Sequence, residues 1–169
     1  MLEKHKGVVI LRKILQAGDK SFIQKVIDLN MIPVLIQLMG DTIHPHLVLE
    51  ASWCVVNLAL GDSNQIDNMV ANGLYKAAHK VICNPHHKIF EQAAWIVANV
   101  SIEDHRHKQE FLNLGCQYPL IEKIHHGHPE NDRETLKYVV WSLSNLCRGN
   151  FTHSEKNTCI LPLVKILMT

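Results

Sequence analysis

The stretch "EQAAWIVANVSIED", from Glu91 to Asp104, has the apolar spacing of an amphipathic helix. Within it, Trp95 and Asn99 stand four residues apart and therefore share one helical face. An amide beside a bulky aromatic ring is unusual on such a face, because a buried amide needs hydrogen-bond partners. The same Trp-x-x-x-Asn pair occurs in "EASWCVVNLALGD" and "YVVWSLSNLCRG", as Trp53–Asn57 and Trp141–Asn145. We call these six residues the ladder.

The spacing of the tryptophans reveals an internal repeat. Trp53 and Trp95 lie 42 positions apart, and Trp95 and Trp141 lie 46 apart. Periods of about 40–47 residues are typical of helical solenoids. The sequence therefore predicts an all-α, right-handed armadillo-repeat solenoid of about four units with two to three helices each. The approximate units are residues 5–41, 42–84, 85–127 and 128–169, and repeat-like sequence at both ends indicates part of a longer solenoid.

The composition narrows the classes of partner. The chain has 169 residues, 47% hydrophobic residues and a formal net charge of +1. No apolar run approaches the roughly 18 residues of a membrane span, and the charge gives no overall attraction to nucleic acid or anionic lipid. An odd number of widely spaced cysteines favours reduced thiols. We therefore expect a soluble intracellular protein without a membrane or nucleic-acid partner.

The three Trp-bearing helices share one predicted buried stripe. It lies two residues before, two residues after and five residues after each tryptophan: Ala51, Ala93, Val139; Val55, Val97, Leu143; Leu58, Val100, Leu146. The ladder lies on an adjacent face. Because a buried asparagine would need several hydrogen bonds in every unit, the sequence predicts that the whole ladder is exposed on a concave surface.

An exposed ladder has the chemistry to bind an extended peptide. Asparagine amides can pair with the N–H and C=O groups of a peptide backbone, whatever its sequence. Neighbouring indoles can hold the stems of Lys or Arg and attract the cationic heads by about 0.5–2 kcal/mol each. Acidic residues predicted to flank the ladder and to favour cations are Glu50, Asp62, Glu91, Glu103, Asp104 and Glu134.

The segments "LEASWCVVNLALGDSNQ", "FEQAAWIVANVSIED" and "VVWSLSNLCRG", with "GCQYPLIEKI" between them, resemble the second to fourth armadillo repeats of importin α. The resemblance implies a nuclear import adaptor that moves between cytoplasm and nucleus and binds the Lys/Arg-rich nuclear localisation signals of cargo proteins. It also implies that the tryptophans form slots, that the asparagines clamp the peptide backbone, and that two further residues lie near the peptide: Gly61 and Gln92.

The chain departs from the importin α pattern at three positions. Glu103 stands where the family has the aspartate that pairs with the main signal lysine, and Ile66 replaces a threonine of that pocket. Tyr138 replaces an asparagine clamp and could add an aromatic wall. The family recruits importin β through a basic N-terminal segment, and "MLEKHKG" is too short for one. We therefore expect importin β binding only if such a segment exists outside this chain.

Two alternatives remain from the sequence. A β-catenin-like scaffold would bind other peptide partners through a basic groove. The twelve histidines of the chain are consistent with this interpretation, although most of them fall in predicted turns. A metal-dependent enzyme could use "HHGH" or "HRHK", yet neither has the carboxylate or cysteine spacing of a known site. The sequence predicts no enzyme, no catalytic residue, no cofactor and no metal.

Overall fold

The computed structural model describes residues 2–125 and 133–149, together with residues 160, 161, 164 and 168, but not the side chains at positions 103 and 125. This part of the chain contains ten α-helices and no strand, which confirms the all-α prediction. The helices are α1 Leu2–Gln16, α2 Ser21–Asp28, α3 Ile32–Met39, α4 Pro45–Leu58, α5 Ser63–Ala71, α6 Leu74–Ile82, α7 His87–Glu103, α8 His105–Asn113, α9 Gln117–His125 and α10 Arg133–Leu146.

Long and short helices alternate in a fixed order. A long helix is followed by two short ones in α1–α3, in α4–α6 and in α7–α9, and α10 is again long. The long helices pack in sequence, α1 against α4, α4 against α7 and α7 against α10. This arrangement places the three tryptophans on adjacent helices. The division into four units stays a prediction, because residues 126–132 and most residues after 149 lie outside the described residues.

Local sequence signals set the helix boundaries. Gly73 has φ 96° and Gly115 has φ 81°, a left-handed conformation that glycine adopts at little cost, and each separates two short helices. Pro45 occupies the first turn of α4, where its missing N–H would have no helical partner. Asp62 and Gln65 form a capping box at the start of α5. The sharp turns let three helices fold back on one another within about 42 residues.

The predicted stripe forms the core between the long helices. All nine of its residues are buried, as the sequence predicts. Ala51 and Ala93 are small enough to let neighbouring helices approach closely, whereas Leu58 and Leu146 fill the space further along. One unit alone cannot cover this stripe, so stacking of the units stabilises each of them.

The described cysteines are reduced, as the sequence predicts. Cys54, Cys83, Cys116 and Cys147 are all free thiols. Burial raises the pKa of the Cys54 thiol to about 12 and that of Cys116 also to about 12, so both behave as small apolar core residues.

The outer long helices retain exposed apolar side chains. Ile10 and Ile14 on α1 and Val140 on α10 are exposed, and so are Ile160 and Val164 beyond α10. Within the described part of the chain, no single helix has the length and apolar composition of a membrane span. The bent pair α2–α3, whose helices meet at 88°, reaches that length and composition only jointly.

Candidate functional site

The three ladder tryptophans lie on the consecutive long helices α4, α7 and α10. Trp53 and Trp95 are half-buried, and Trp141 is 36% exposed. The prediction that the tryptophans are partly exposed is therefore confirmed. Each indole therefore retains some accessible surface.

Two of the three ladder asparagines are buried, so the prediction of a fully exposed ladder is wrong for them. Asn99 and Asn145 are each 4% exposed. The Nδ2 of Asn99 donates to the carbonyl of Val56 at 3.4 Å, and the Nδ2 of Asn145 donates to the carbonyl of Ala98 at 3.0 Å. The acceptor is in each case on the preceding long helix. The solenoid thus supplies the hydrogen bond that the sequence argument considered too costly to repeat.

Asn57 behaves differently from the other two asparagines. It is half-buried, and its Nδ2 donates to the carbonyl of Trp53 at 2.8 Å within its own helix. Among the described residues, the Oδ1 atoms of all three asparagines accept no hydrogen bond, and none of these atoms is both buried and unpaired. Each amide therefore keeps an acceptor that water or a peptide N–H can reach.

A cationic side chain of the same protein lies on the ring of Trp53. The guanidinium of Arg12 on α1 lies 4.5 Å from the centre of the indole, and its Nε donates to Oε2 of Glu50. Gln16 accepts a further hydrogen bond from Arg12. The sequence did not indicate this contact, because it depends on how α1 packs against α4. It demonstrates that a ladder ring next to an acid holds a guanidinium.

The ring of Trp95 is covered by an aromatic side chain. Tyr138 on α10 stacks on it, with 5.0 Å between ring centres and 21° between ring planes. The aromatic wall suggested by the sequence is therefore present, and it lies against Trp95. Burial, followed by the neighbouring carboxylates of Glu134 and Glu91, raises the pKa of Tyr138 above its ordinary value of 10.0, which keeps the hydroxyl neutral at pH 7.

Gln92 and Trp95 present polar atoms that lack a partner. Gln92 is only 6% exposed, and its Oε1 is buried without a hydrogen bond to any described residue. The Nε1 of Trp95 is also buried without a hydrogen bond to any described residue. Buried polar groups are normally hydrogen-bonded, so an acceptor and a donor left unpaired beside the ladder are the kind of groups that a ligand can satisfy.

Gly61 has a local structural reason to be glycine. A Cβ at this position would lie 2.4 Å from Oε1 of Gln65 and 3.1 Å from the carbonyl oxygen of Leu58. Gln65 is held in place because its Oε1 accepts from the backbone N–H of Asp62. The turn after α4 therefore explains Gly61 without a ligand, and its role near a peptide stays a prediction.

Most of the predicted flanking acids already have partners in the chain. Asp62 caps α5 and Asp104 caps α8, while Glu50 pairs with Arg12. Glu91 is buried and accepts from Thr135 at 2.8 Å. The Asp-x-x-Gln pattern starting at Asp62 is a capping-box signal from which its role could have been predicted. The charge available to a ligand is thus smaller than the number of acids indicates.

The remaining sequence-based positions give a mixed result. Ile66 is fully buried in the core, and its effect on a lysine pocket stays a prediction. Glu103 ends α7, and its side chain lies outside the described residues. No group of three His, Cys, Asp or Glu among the residues the structure describes could hold a metal, and "HHGH" lies outside them apart from the backbone of its first histidine.

Comparison with known families and proteins identifies the repeat. Residues 19–60 match the armadillo/beta-catenin-like repeat. The chain is 30% identical to importin subunit alpha-1b of Oryza sativa subsp. japonica, over 82% of this chain and 25% of that protein. It is 28% identical to importin subunit alpha-2 of Arabidopsis thaliana, again over 82% and 25%. The resemblance to importin α is confirmed, and the chain spans about a quarter of the length of these relatives.

Two solved structures of designed proteins have the same fold. A designed armadillo repeat protein in complex with peptide (KR)4 superposes with a TM-score of 0.79 at 23% identity, covering 98% of this chain and 66% of that one. Computationally designed armadillo repeat proteins for modular peptide recognition give a TM-score of 0.85 at 22% identity, covering 100% and 70%. The predicted armadillo fold is confirmed. Proteins of this class are non-enzymatic peptide-binding scaffolds, in agreement with the prediction that this chain is not an enzyme.

Proposed function

We propose that this armadillo-repeat chain, similar to importin α over most of its length, binds the Lys/Arg-rich nuclear localisation signals of cargo proteins. The peptide would lie in extended form along α4, α7 and α10. Its basic side chains would pack on Trp53, Trp95 and Trp141, and its backbone N–H groups would donate to the asparagine Oδ1 atoms. The alternative is a scaffold that binds other peptides on the same surface.

The contact between Arg12 and Trp53 carries the proposal. In that contact a guanidinium lies on a ladder ring, and its charge is balanced by Glu50. At the other two ladder positions, Trp141 is 36% exposed, whereas Trp95 is half-buried and has Tyr138 stacked on one face. Attraction of a cation to a ring face contributes about 0.5–2 kcal/mol, and the apolar stems of Lys and Arg add contact area. A row of such rings therefore favours a ligand with several cationic side chains.

The related proteins support this choice of ligand. Those that match most of the chain are importin alpha subunits, which favours an adaptor that moves between cytoplasm and nucleus. A designed protein with the same fold is in complex with (KR)4, so this fold can accommodate a peptide of Lys and Arg. Recruitment of importin β is part of the proposal only for a polypeptide that has a basic segment outside this chain.

The asparagines would act as acceptors for the peptide. Asn99 and Asn145 each have one Nδ2–H bonded to the preceding helix, which fixes the orientation of the amide. A fixed Oδ1 loses less conformational entropy on binding than a free side chain does. The clamp predicted from the sequence is thus compatible with burial, although the amides bind the solenoid as well as the ligand.

Titration with matched peptides tests the proposal. We expect a peptide with five Lys or Arg residues to bind with an affinity that falls as salt rises, because attraction to the remaining acids contributes. The same peptide with its basic residues replaced by Gln should bind at least about tenfold more weakly. Equal affinity for both peptides would contradict the proposal, and preference for an acidic peptide would favour the β-catenin-like scaffold.

A pair of charge variants gives the matched control. Glu134 is exposed at the start of α10 beside the ladder, whereas Glu110 is exposed on the short helix α8. Glu134→Gln should weaken binding of the basic peptide by about two- to fivefold at low salt, since it removes a flanking charge. Glu110→Gln should leave the affinity unchanged. An equal effect of both variants would indicate non-specific attraction.

A further inference from the structure

The residue three positions before each ladder tryptophan faces the preceding long helix. On α4 this residue is Glu50, which binds Arg12 of α1. On α10 it is Tyr138, which stacks on Trp95 of α7. On α7 the equivalent residue is Gln92, three positions before Trp95. By the same spacing, we expect Gln92 to face α4, the helix that carries Trp53. These three positions therefore line the spaces between consecutive long helices, where a basic side chain of the ligand would enter.

The space between α7 and α10 is filled by Tyr138. Its ring lies nearly parallel to that of Trp95, at a centre-to-centre distance of 5.0 Å that leaves no room for an aliphatic stem between them. Offset-stacked aromatic pairs contribute about 0.5–1.5 kcal/mol beyond their buried area. A lysine or arginine stem would have to displace Tyr138 to reach this face of Trp95. The loss of the stacking between Tyr138 and Trp95 would offset most of the binding free energy gained from the new contact.

The space between α4 and α7 has the opposite character. Gln92 has no ring to stack, and its buried Oε1 has no hydrogen-bond partner among the described residues. A cationic head or a peptide N–H would satisfy that acceptor. The indole of Trp53 on α4 is half-buried and carries Arg12 of α1, and no ring of a described residue stacks on it. The space between α4 and α7 therefore lacks a covering ring and leaves an acceptor unpaired, whereas Tyr138 closes the space between α7 and α10.

We infer that Tyr138 is a specificity-determining residue that closes the slot between Trp95 and Trp141, so that this groove requires a basic side chain at the Trp53–Gln92 slot but not at the next one. The inference rests on the proposed function for its ligand. Its consequence is a preference for short or interrupted basic clusters over one continuous run of Lys and Arg. A peptide residue that faces Tyr138 is bound without preference for charge.

A measurement without peptide tests the closed slot. In a Trp53→Phe/Trp141→Phe background, Trp95 is the only tryptophan, and acrylamide quenching of its fluorescence reports access to the ring. Tyr138→Asn should raise the quenching constant about twofold, because the covering ring is lost, whereas Tyr138→Phe should leave it unchanged. If Tyr138→Asn fails to fold, Tyr138→Leu serves instead, since it keeps an apolar side chain but cannot stack. Equal quenching in all variants overturns the inference, whether or not the chain binds peptides.

A lysine-to-alanine scan of a five-lysine peptide tests the specificity. With the wild-type chain, one internal substitution should change Kd by less than about twofold. With Tyr138→Asn, the same substitution should cost about five- to tenfold, because the opened slot now holds that side chain. Tyr138→Phe should reproduce the wild-type pattern. Identical scans for the wild-type chain and Tyr138→Asn overturn the inference but leave the proposed function intact, whereas failure of every basic peptide to bind overturns both.

Discussion

The first interface between long helices differs from the later ones, although all three involve a Trp-x-x-x-Asn helix. At the α4–α7 and α7–α10 interfaces, Asn99 and Asn145 donate across to the preceding helix. At the α1–α4 interface, Asn57 donates to its own helix instead. The same sequence motif thus gives a structural bridge in two places and a local bond in the third. The neighbouring helix, not the motif, determines what the amide does.

The side chain one residue after the tryptophan also differs between the first and the last interface. At the last interface Ser142 Oγ lies 2.6 Å from the carbonyl oxygen of Ala94. The corresponding atom at the first interface is the Sγ of Cys54, which lies 3.6 Å from the carbonyl oxygen of Val8. Arg12 of α1 also packs on Trp53 at the first interface, where Asn57 donates within its own helix.

The largest predicted effect separates the bridging asparagines from Asn57. Replacing Asn99 and Asn145 together by Ala should lower the free energy of unfolding by about 2–4 kcal/mol, since two buried hydrogen bonds are lost and cavities remain. Asn57→Ala should cost less than about 0.5 kcal/mol. Urea denaturation followed by circular dichroism measures both. This expectation differs from the sequence-based prediction of a fully exposed ladder, in which an asparagine would make no buried hydrogen bond.

If the double variant were as stable as the wild type while Asn57→Ala was not, the comparison between the interfaces would be wrong. A loss of peptide affinity without loss of stability in the double variant would show that the amides act only on the ligand. Measuring stability and affinity on the same samples distinguishes the two roles.

The second prediction concerns the ring that borders both later interfaces. Trp95→Ala should weaken binding of a basic peptide by about 1–2 kcal/mol, because it removes the central aromatic ring of the ladder, one helical turn from Gln92. The discrimination between a Lys-rich and a neutral peptide should decrease as well. Calorimetric titration measures the affinity, and Trp95→Phe, which keeps an aromatic wall, should retain most of it. Unfolding of Trp95→Ala would instead mean that the indole is mainly a core residue.

A smaller effect is expected at the hydroxyl and thiol that mark the two interfaces. Ser142 Oγ also lies 2.6 Å from the carbonyl oxygen of Tyr138, so Ser142→Ala removes a donor shared by two helices and should cost about 1 kcal/mol. Cys54→Ala should cost less through hydrogen bonding, since its contact to Val8 is long and thiols are weak donors. Thermal unfolding of the two variants, compared with a Cys116→Ala control for loss of a buried thiol, tests the order. Equal costs of the hydroxyl and thiol contacts would contradict the expected difference between the two interfaces.

The smallest effect concerns the turn that leads away from the later interfaces. Hydrogen bonds from Arg106 hold the pKa of Asp104 below its ordinary value of 3.8. A carboxyl group whose pKa is lowered in the folded state stabilises the fold at pH values above its pKa in the unfolded state. This contribution is lost as the pH falls through the pKa of the folded state. The stability difference between the wild type and Asp104→Asn should therefore be present at pH 6 and shrink below about pH 4. Because Asp104 is partly exposed to solvent, the difference should be small.

Much of the fold was predictable from residues that act locally or repeat regularly. Gly73 and Gly115 end helices because of their backbone conformation, and the buried stripe follows from helical period alone. The burial of Asn99 was not predictable, because it depends on the distance to a carbonyl 43 residues earlier in the chain. The stacking of Tyr138 on Trp95 is likewise a property of two helices together. Sequence patterns identify faces of helices, but the partner of each face is set by packing.

The exposed apolar residues of the outer helices have a consequence at high protein concentration. Ile10 and Ile14 lie on α1, whereas Val140 lies on α10, the last long helix that the structure describes, so the two exposed surfaces are different. If the α1 surface of one molecule contacts the α10 surface of another, the pair still has one free surface of each kind. Such association has no natural stopping point and produces chains of increasing length instead of a closed dimer. Light scattering from this protein should therefore rise steadily with concentration, and a charge at Ile14 should abolish the rise.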